Sequence, residues 1–208
     1  MPSIVSGPAY TLCPAYDRLS PVHLPPTPTV CAQTELFFSV NVTRDYLHVP
    51  GLTAKGEQSP HVQKALAMEM IQDRYPHCTW THVYTDGSSE NAVRNGGSGV
   101  YIRRPNGTTT SLSVPAGDLS SNYRAELHAL ITAAEHAAGE DRSRQNIVLL
   151  TDSLSALQSL LSGPTDLPTR QLDNCLSTLS QHNKVVLQWI PAHVGIAGNE
   201  EADRLAKG

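Results

Sequence analysis

Four acidic residues stand where a fold could bring them together. Asp86 follows a weakly alternating run at 82–85 and precedes Gly87-Ser88. Glu126 lies in the opening turns of a long helical pattern. Asp152 follows the unbroken apolar run Ile147-Val148-Leu149-Leu150, and Asp203 lies in the last helical pattern of the chain. Carboxylates crowded into one volume repel unless a cation joins them. An all-oxygen donor set suits hard ions such as Mg2+ or Mn2+. A pair of such ions would activate a water and stabilise the leaving oxygen of a phosphodiester. Taken singly, each acid has an ordinary reading: a turn residue at Asp86, a helix cap at Asp152, a macrodipole partner at Glu126, a solvated helix charge at Asp203. Their joint placement gives the functional reading its weight, because ligands gather at strand ends in the middle of an open sheet.

The elements that must position them follow from periodicity and turn chemistry. Strands are expected over 82–85, 99–103 and 108–114, with Pro105-Asn106-Gly107 as the hairpin turn between the last two. A helix is expected over 121–138, from the stripe Leu127, Leu130, Ile131, Ala134 and Ala138. The apolar run 147–150 reads as a strand covered on both faces. Ser153 caps a short helix to 161, ended by Gly163-Pro164. A further helix over 169–180 carries Leu172, Leu176 and Leu179. A strand over 185–190 and a helix over 199–207 complete the pattern. The order predicts an α/β fold: a mixed five-stranded sheet flanked by helices.

Composition changes near residue 80. The first sixty residues hold nine of the fifteen prolines, which disfavours helices and central strands there. A strand is expected over 36–42 and a helix over 61–74, where Val62, Ala65, Leu66, Met70 and Ile71 share a face behind Pro60. Residues 1–80 therefore read as a mostly irregular, partly disordered extension, and 81–208 as the folded domain.

Net charge is −4, and residues 81–208 are themselves acidic, with ten Lys and Arg against thirteen Asp and Glu. A nucleic-acid partner cannot be argued from charge; it must be argued from the site. Cys13, Cys31, Cys78 and Cys175 are far apart and lack zinc spacing or a disulfide framework, so they read as reduced thiols. No signal-peptide pattern and no membrane-length apolar run occur, so the expected setting is intracellular, nucleus or cytoplasm, with no membrane partner.

Several strings around these acids resemble type 1 ribonuclease H. They are Tyr84-Thr85-Asp86-Gly87-Ser88, Asn122-Tyr123-Arg124-Ala125-Glu126-Leu127, Leu150-Thr151-Asp152-Ser153, Trp189-Ile190-Pro191-Ala192-His193-Val194-Gly195 and Gly198-Asn199-Glu200-Glu201-Ala202-Asp203-Arg204-Leu205-Ala206. The resemblance spans about 81–208. The wording of the closing segment is similar to ribonuclease H domains of non-LTR retrotransposon polyproteins, whose partner would be a reverse transcriptase of the same element.

The resemblance implies an endonuclease that cuts the RNA strand of RNA–DNA hybrids. Asp86, Glu126, Asp152 and Asp203 would hold two Mg2+ ions, or Mn2+, and His193 would assist proton movement or release. Ser88, Asn122 and Asn199 would lie near the substrate or the metal, where hydrogen bonds to a 2′-hydroxyl select RNA. Trp189 reads as core. Two departures stand out. The stretch 153–184 carries only Arg170 and Lys184 as basic residues, so the basic protrusion of bacterial members is absent and hybrid affinity should be weak. Only five residues follow Asp203, so the final helix is expected to be marginal and Asp203 poorly held. Competing readings are a catalytically impaired retroelement remnant or a hybrid-binding module, and a transposase or integrase of similar fold.

Overall fold

The computed structural model describes residues 44–53, 57–90, 94–140 and 144–208. The strand expected over 36–42 lies outside them. A short 3-10 turn, Arg44–Leu47, precedes helix α1 (Pro60–Arg74). Strands β1 (Thr81–Glu90), β2 (Arg94–Arg103) and β3 (Thr109–Gly117) follow, then α2 (Asn122–Gly139) and β4 (Asn146–Thr151). Helices α3 (Leu154–Leu161) and α4 (Leu167–Ser180), strand β5 (Lys184–Trp189) and helix α5 (Ala197–Ala206) close the chain.

The strands form one sheet in the order β3-β2-β1-β4-β5. β1, β2 and β3 pair antiparallel, and β4 joins β1 and β5 in parallel. This is the mixed α/β architecture the element order implied. Side chains alternate between the faces of a strand, and here they feed two separate cores. Val83, Ile147, Leu149, Val185 and Leu187 face Leu127, Leu130, Leu172, Leu176 and Leu179 of α2 and α4. Tyr84, Val148, Leu150 and Val186 face the other way, onto Ala67, Met70 and Ile71 of α1 and Ala202 of α5. Both faces of β4 are therefore covered, which explains its unbroken apolar run.

Helix starts are fixed by side-chain caps at Ser59, Ser121, Ser153 and Asp166, each accepting a hydrogen bond from a backbone N–H of the first turn. α4 begins before the expected residue 169 because Asp166 caps it and Pro168 fits the first turn. β1 and β2 also differ from expectation. Asp86 does not end its strand; β1 continues to Glu90. β2 starts at Arg94 and runs through Gly96, Gly97 and Gly99, a glycine-rich stretch with low strand propensity.

Those glycines serve α5. A methyl group on Gly99 would overlap the Ala202 carbonyl oxygen, and one on Gly97 would overlap that of Ala206. The backbone of α5 lies directly on β2, and Gly198 lies as closely on the Tyr84 ring. The Ser88 hydroxyl donates to the Ala206 carbonyl at 2.6 Å, satisfying a carbonyl in the last turn. The expected looseness of the final helix is not observed: Ala202, Leu205 and Ala206 are buried.

Candidate active site

Four elements meet over the middle of the sheet. Asp86 comes from the central strand β1, Glu126 from the second turn of α2, Asp152 from the residue after β4, and Asp203 from α5. All four line one cavity of about 350 Å³, together with Ser88, Ser89, Asn122, His193 and Lys207. β1 and β4 are adjacent and parallel, with Thr85 level with Thr151. Asp86 and Asp152 therefore lie side by side. Glu126 reaches them because Gly87 lets α2 approach, since a methyl group on Gly87 would strike the Glu126 backbone nitrogen.

Each carboxylate has a separate support. Asp86 is buried, and its Oδ1 accepts the Gly87 N–H at 2.7 Å. Burial, the Asp152 charge, and the hydrogen bond and charge of Asp203 all push its carboxyl well above the usual range. Burial also raises Asp203, but the Lys207 ammonium, 2.7 Å from its Oδ2, and the hydrogen bond with Asp86 hold it below the ordinary value. Burial raises Glu126, opposed by the Ser153 hydroxyl, which donates to its Oε2. Burial raises Asp152 as well; the Asn199 amide, donating at 3.1 Å, and the nearby His193 act against it. The Trp189 indole N–H donates to the Asp152 carbonyl at 3.1 Å and fixes the backbone there.

His193 sits exposed at the cavity rim, in a left-handed backbone conformation at φ 52°. Gly195, at φ 85°, shares the same loop. Asn122 lines the cavity and accepts a 2.6 Å hydrogen bond from Ser89. Asn199 is 2% exposed, and its Oδ1 has no partner, so its visible bond is the one to Asp152. Ser88 lines the cavity while its hydroxyl is committed to α5. Four contributors were not singled out as site residues from sequence. Trp189 reads there as core, Ser153 as a cap, Gly87 as part of a turn, and Lys207 as the tail of a helix. Only tertiary neighbours reveal these roles.

Among the described residues, no three Asp, Glu, His or Cys side chains close on one point as ligands of a bound ion would. The donor set nonetheless fits a hard divalent cation: four carboxylates, no thiol, and a buried Asp86 whose charge the neighbouring Asp152 and Asp203 disfavour unless a cation joins them.

Strand-borne and helix-borne acids around one cavity over a mixed sheet make a site whose chemistry suits phosphodiester hydrolysis with bound cations. The family model for RNase H matches residues 79–208, and the chain belongs to that family. It is a ribonuclease H, a hydrolase. Among solved structures it is similar to RNase H1 from the halophilic archaeon Halobacterium salinarum NRC-1, at 26% identity and a TM-score of 0.48, over 62% of this chain and 95% of that one. No helix among the described residues is long and apolar enough to cross a membrane.

Proposed function

We propose that this chain cuts the RNA strand of RNA–DNA hybrids at the carboxylate cavity, with Asp86, Glu126, Asp152 and Asp203 holding two divalent cations, Mg2+ or Mn2+. The observation that carries the reading is the convergence of these four acids, from four separate elements, on one cavity. When bound, the ions would activate the attacking water and stabilise the leaving oxygen. The chain's own residues supply the rest. Asn199 and Trp189 hold Asp152, and Ser153 orients Glu126. Such supports commonly matter about 10–100-fold for metal affinity or activity. His193, exposed at the rim, is free to carry a proton to or from the reacting strand. Asn122 is close enough to the cavity to meet a 2′-hydroxyl, and Ser88, whose proton is given to Ala206, could only accept from one.

Residues 81–208 form the nuclease domain in this reading and 1–80 its extension. The phrasing of the 189–206 segment supports an origin in a non-LTR retrotransposon, beside a reverse transcriptase. The test is cleavage of a labelled RNA–DNA hybrid with Mg2+, run beside Asp152→Asn. Cleavage by the wild type and a loss of at least 100-fold in the variant is expected. Cleavage that survives in Asp152→Asn removes the mechanism, and no cleavage by the wild type removes the activity.

A further inference from the structure

A nucleic-acid backbone approaching four carboxylates needs cations at the rim; Lys207 lines the cavity but is paired with Asp203, and the stretch after Asp152 supplies few others. Residues 153–184 hold only Arg170 and Lys184. Lys184 opens β5, whereas Asp152 follows the end of the parallel neighbour β4, so Lys184 lies at the far end of the sheet. A different basic group stands beside the loop that carries His193. The loop carrying His193 continues into Val194, Gly195 and Ile196. Val194 and Ile196 pack in the same apolar cluster as Leu66, Ala67, Met70 and Ile71 of α1. That packing lays α1 along the loop. A methyl group built on Gly195 would sit 3.5 Å from Lys64 Nζ and 3.8 Å from its Cδ, so the Lys64 side chain lies over Gly195, two residues from His193.

Lys64 has the character of a phosphate contact. It is exposed and forms no ion pair among the described residues. At ~100° per residue, Glu69 and Asp73 lie about 140° and about 180° round the helix from it; off the helix, the Glu200 carboxylate stands at the same glycine, accepting the Gly195 N–H at 3.1 Å without forming an ion pair with Lys64. His61, one turn earlier, is about 60° away on the same side, and the first turn contains no acid. α1 also lies before residue 79, where the family match begins.

We propose that Lys64, presented by α1 beside the His193 loop, contacts a backbone phosphate of the hybrid as it enters the cavity, in place of the missing basic protrusion. The inference rests on the hybrid being the substrate, as proposed above. It is tested with the full chain, by anisotropy titration of a labelled hybrid at several salt concentrations and by steady-state cleavage of the same hybrid. Lys64→Glu should weaken binding about five- to tenfold at low salt and flatten the log–log salt dependence by about one unit. KM should rise in parallel, with kcat within about twofold of wild type. Lys64→Arg should restore affinity, since any cation serves a phosphate. Lys184→Glu, with the same charge change at the far end of the sheet, should alter neither slope nor KM. Equal thermal melts show that Lys64→Glu is folded. An unchanged salt slope in Lys64→Glu, or the same change in Lys184→Glu, overturns the proposal even when the wild type cleaves normally. Absence of wild-type cleavage sinks the nuclease reading instead, and the titration still reads the Lys64 contact.

Discussion

Asp86 is a buried acid on the central strand, with two other carboxylates facing it. Burial and those charges push its carboxyl up to about 8, so the folded chain holds this proton more tightly than the unfolded chain does. The resulting stability is full below the ordinary carboxylate range and is lost as pH rises through the folded value. In chelator-treated protein, Tm is therefore expected to fall between about pH 4 and pH 8. Asp86→Asn should make that decline shallower, leaving the part that the raised Glu126 and Asp152 carboxyls contribute, and raise Tm by a few degrees at pH 8, while abolishing cleavage. A melt series in which wild type and variant decline alike would show that Asp86 is not the group responsible. At this scale the residues that line the candidate cavity were largely legible. The four acids and His193 sit in strings whose types and order carry the reading. Ser153 and Trp189 were not legible, because a cap and a core indole look the same whether or not a carboxylate lies beyond them.

The last helix carries Asp203 and is set by its contacts with β2. Gly97 and Gly99 have no side chain to hold the two backbones apart, and Ser88 ties down the final turn. Gly99→Ala should cost about 1–3 kcal/mol, because the clash is with the Ala202 backbone and α5 must move. A shift near 1 Å in Asp203 should lower cleavage on the order of 100-fold. A urea melt and the hybrid cleavage assay read the two effects; full activity with lowered stability would mean that Asp203 does not depend on this contact. The sequence suggested a marginal helix here, and the reason is physical. Helix length and composition are local, whereas close approach to a glycine-rich strand a hundred residues away is not. The same glycines hid the start of β2, since strand propensity measures packing that a glycine does not offer.

Across the whole molecule, the family match starts at residue 79, yet the second core does not. Val49, Ala67, Met70, Ile71 and Tyr75 are buried against Val148, Leu150 and Val186. Gln188, fully buried, shares the two N–H groups of its amide among the Tyr46, His48 and Trp189 carbonyls and accepts from the Tyr75 hydroxyl. A chain beginning at residue 79 would expose that apolar face and leave Gln188 short of partners. It is expected to aggregate or bind a hydrophobic dye, whereas a chain beginning at residue 44 keeps a cooperative melt. A soluble, cooperatively melting chain from 79 would contradict this. Proline counting obscured the point, because it describes local backbone freedom and not what a later helix covers. The sheet's connectivity has a temporal consequence. β1, β2 and β3 pair with their sequence neighbours through short connections, but β1 meets β4 only after the 55 residues between Glu90 and Asn146 have been organised. The three-stranded meander should therefore form early and the parallel half late. Asp86 would be in its strand well before Asp152 and Asp203 arrive, so a refolding population would regain sheet signal before it regained any capacity to cut.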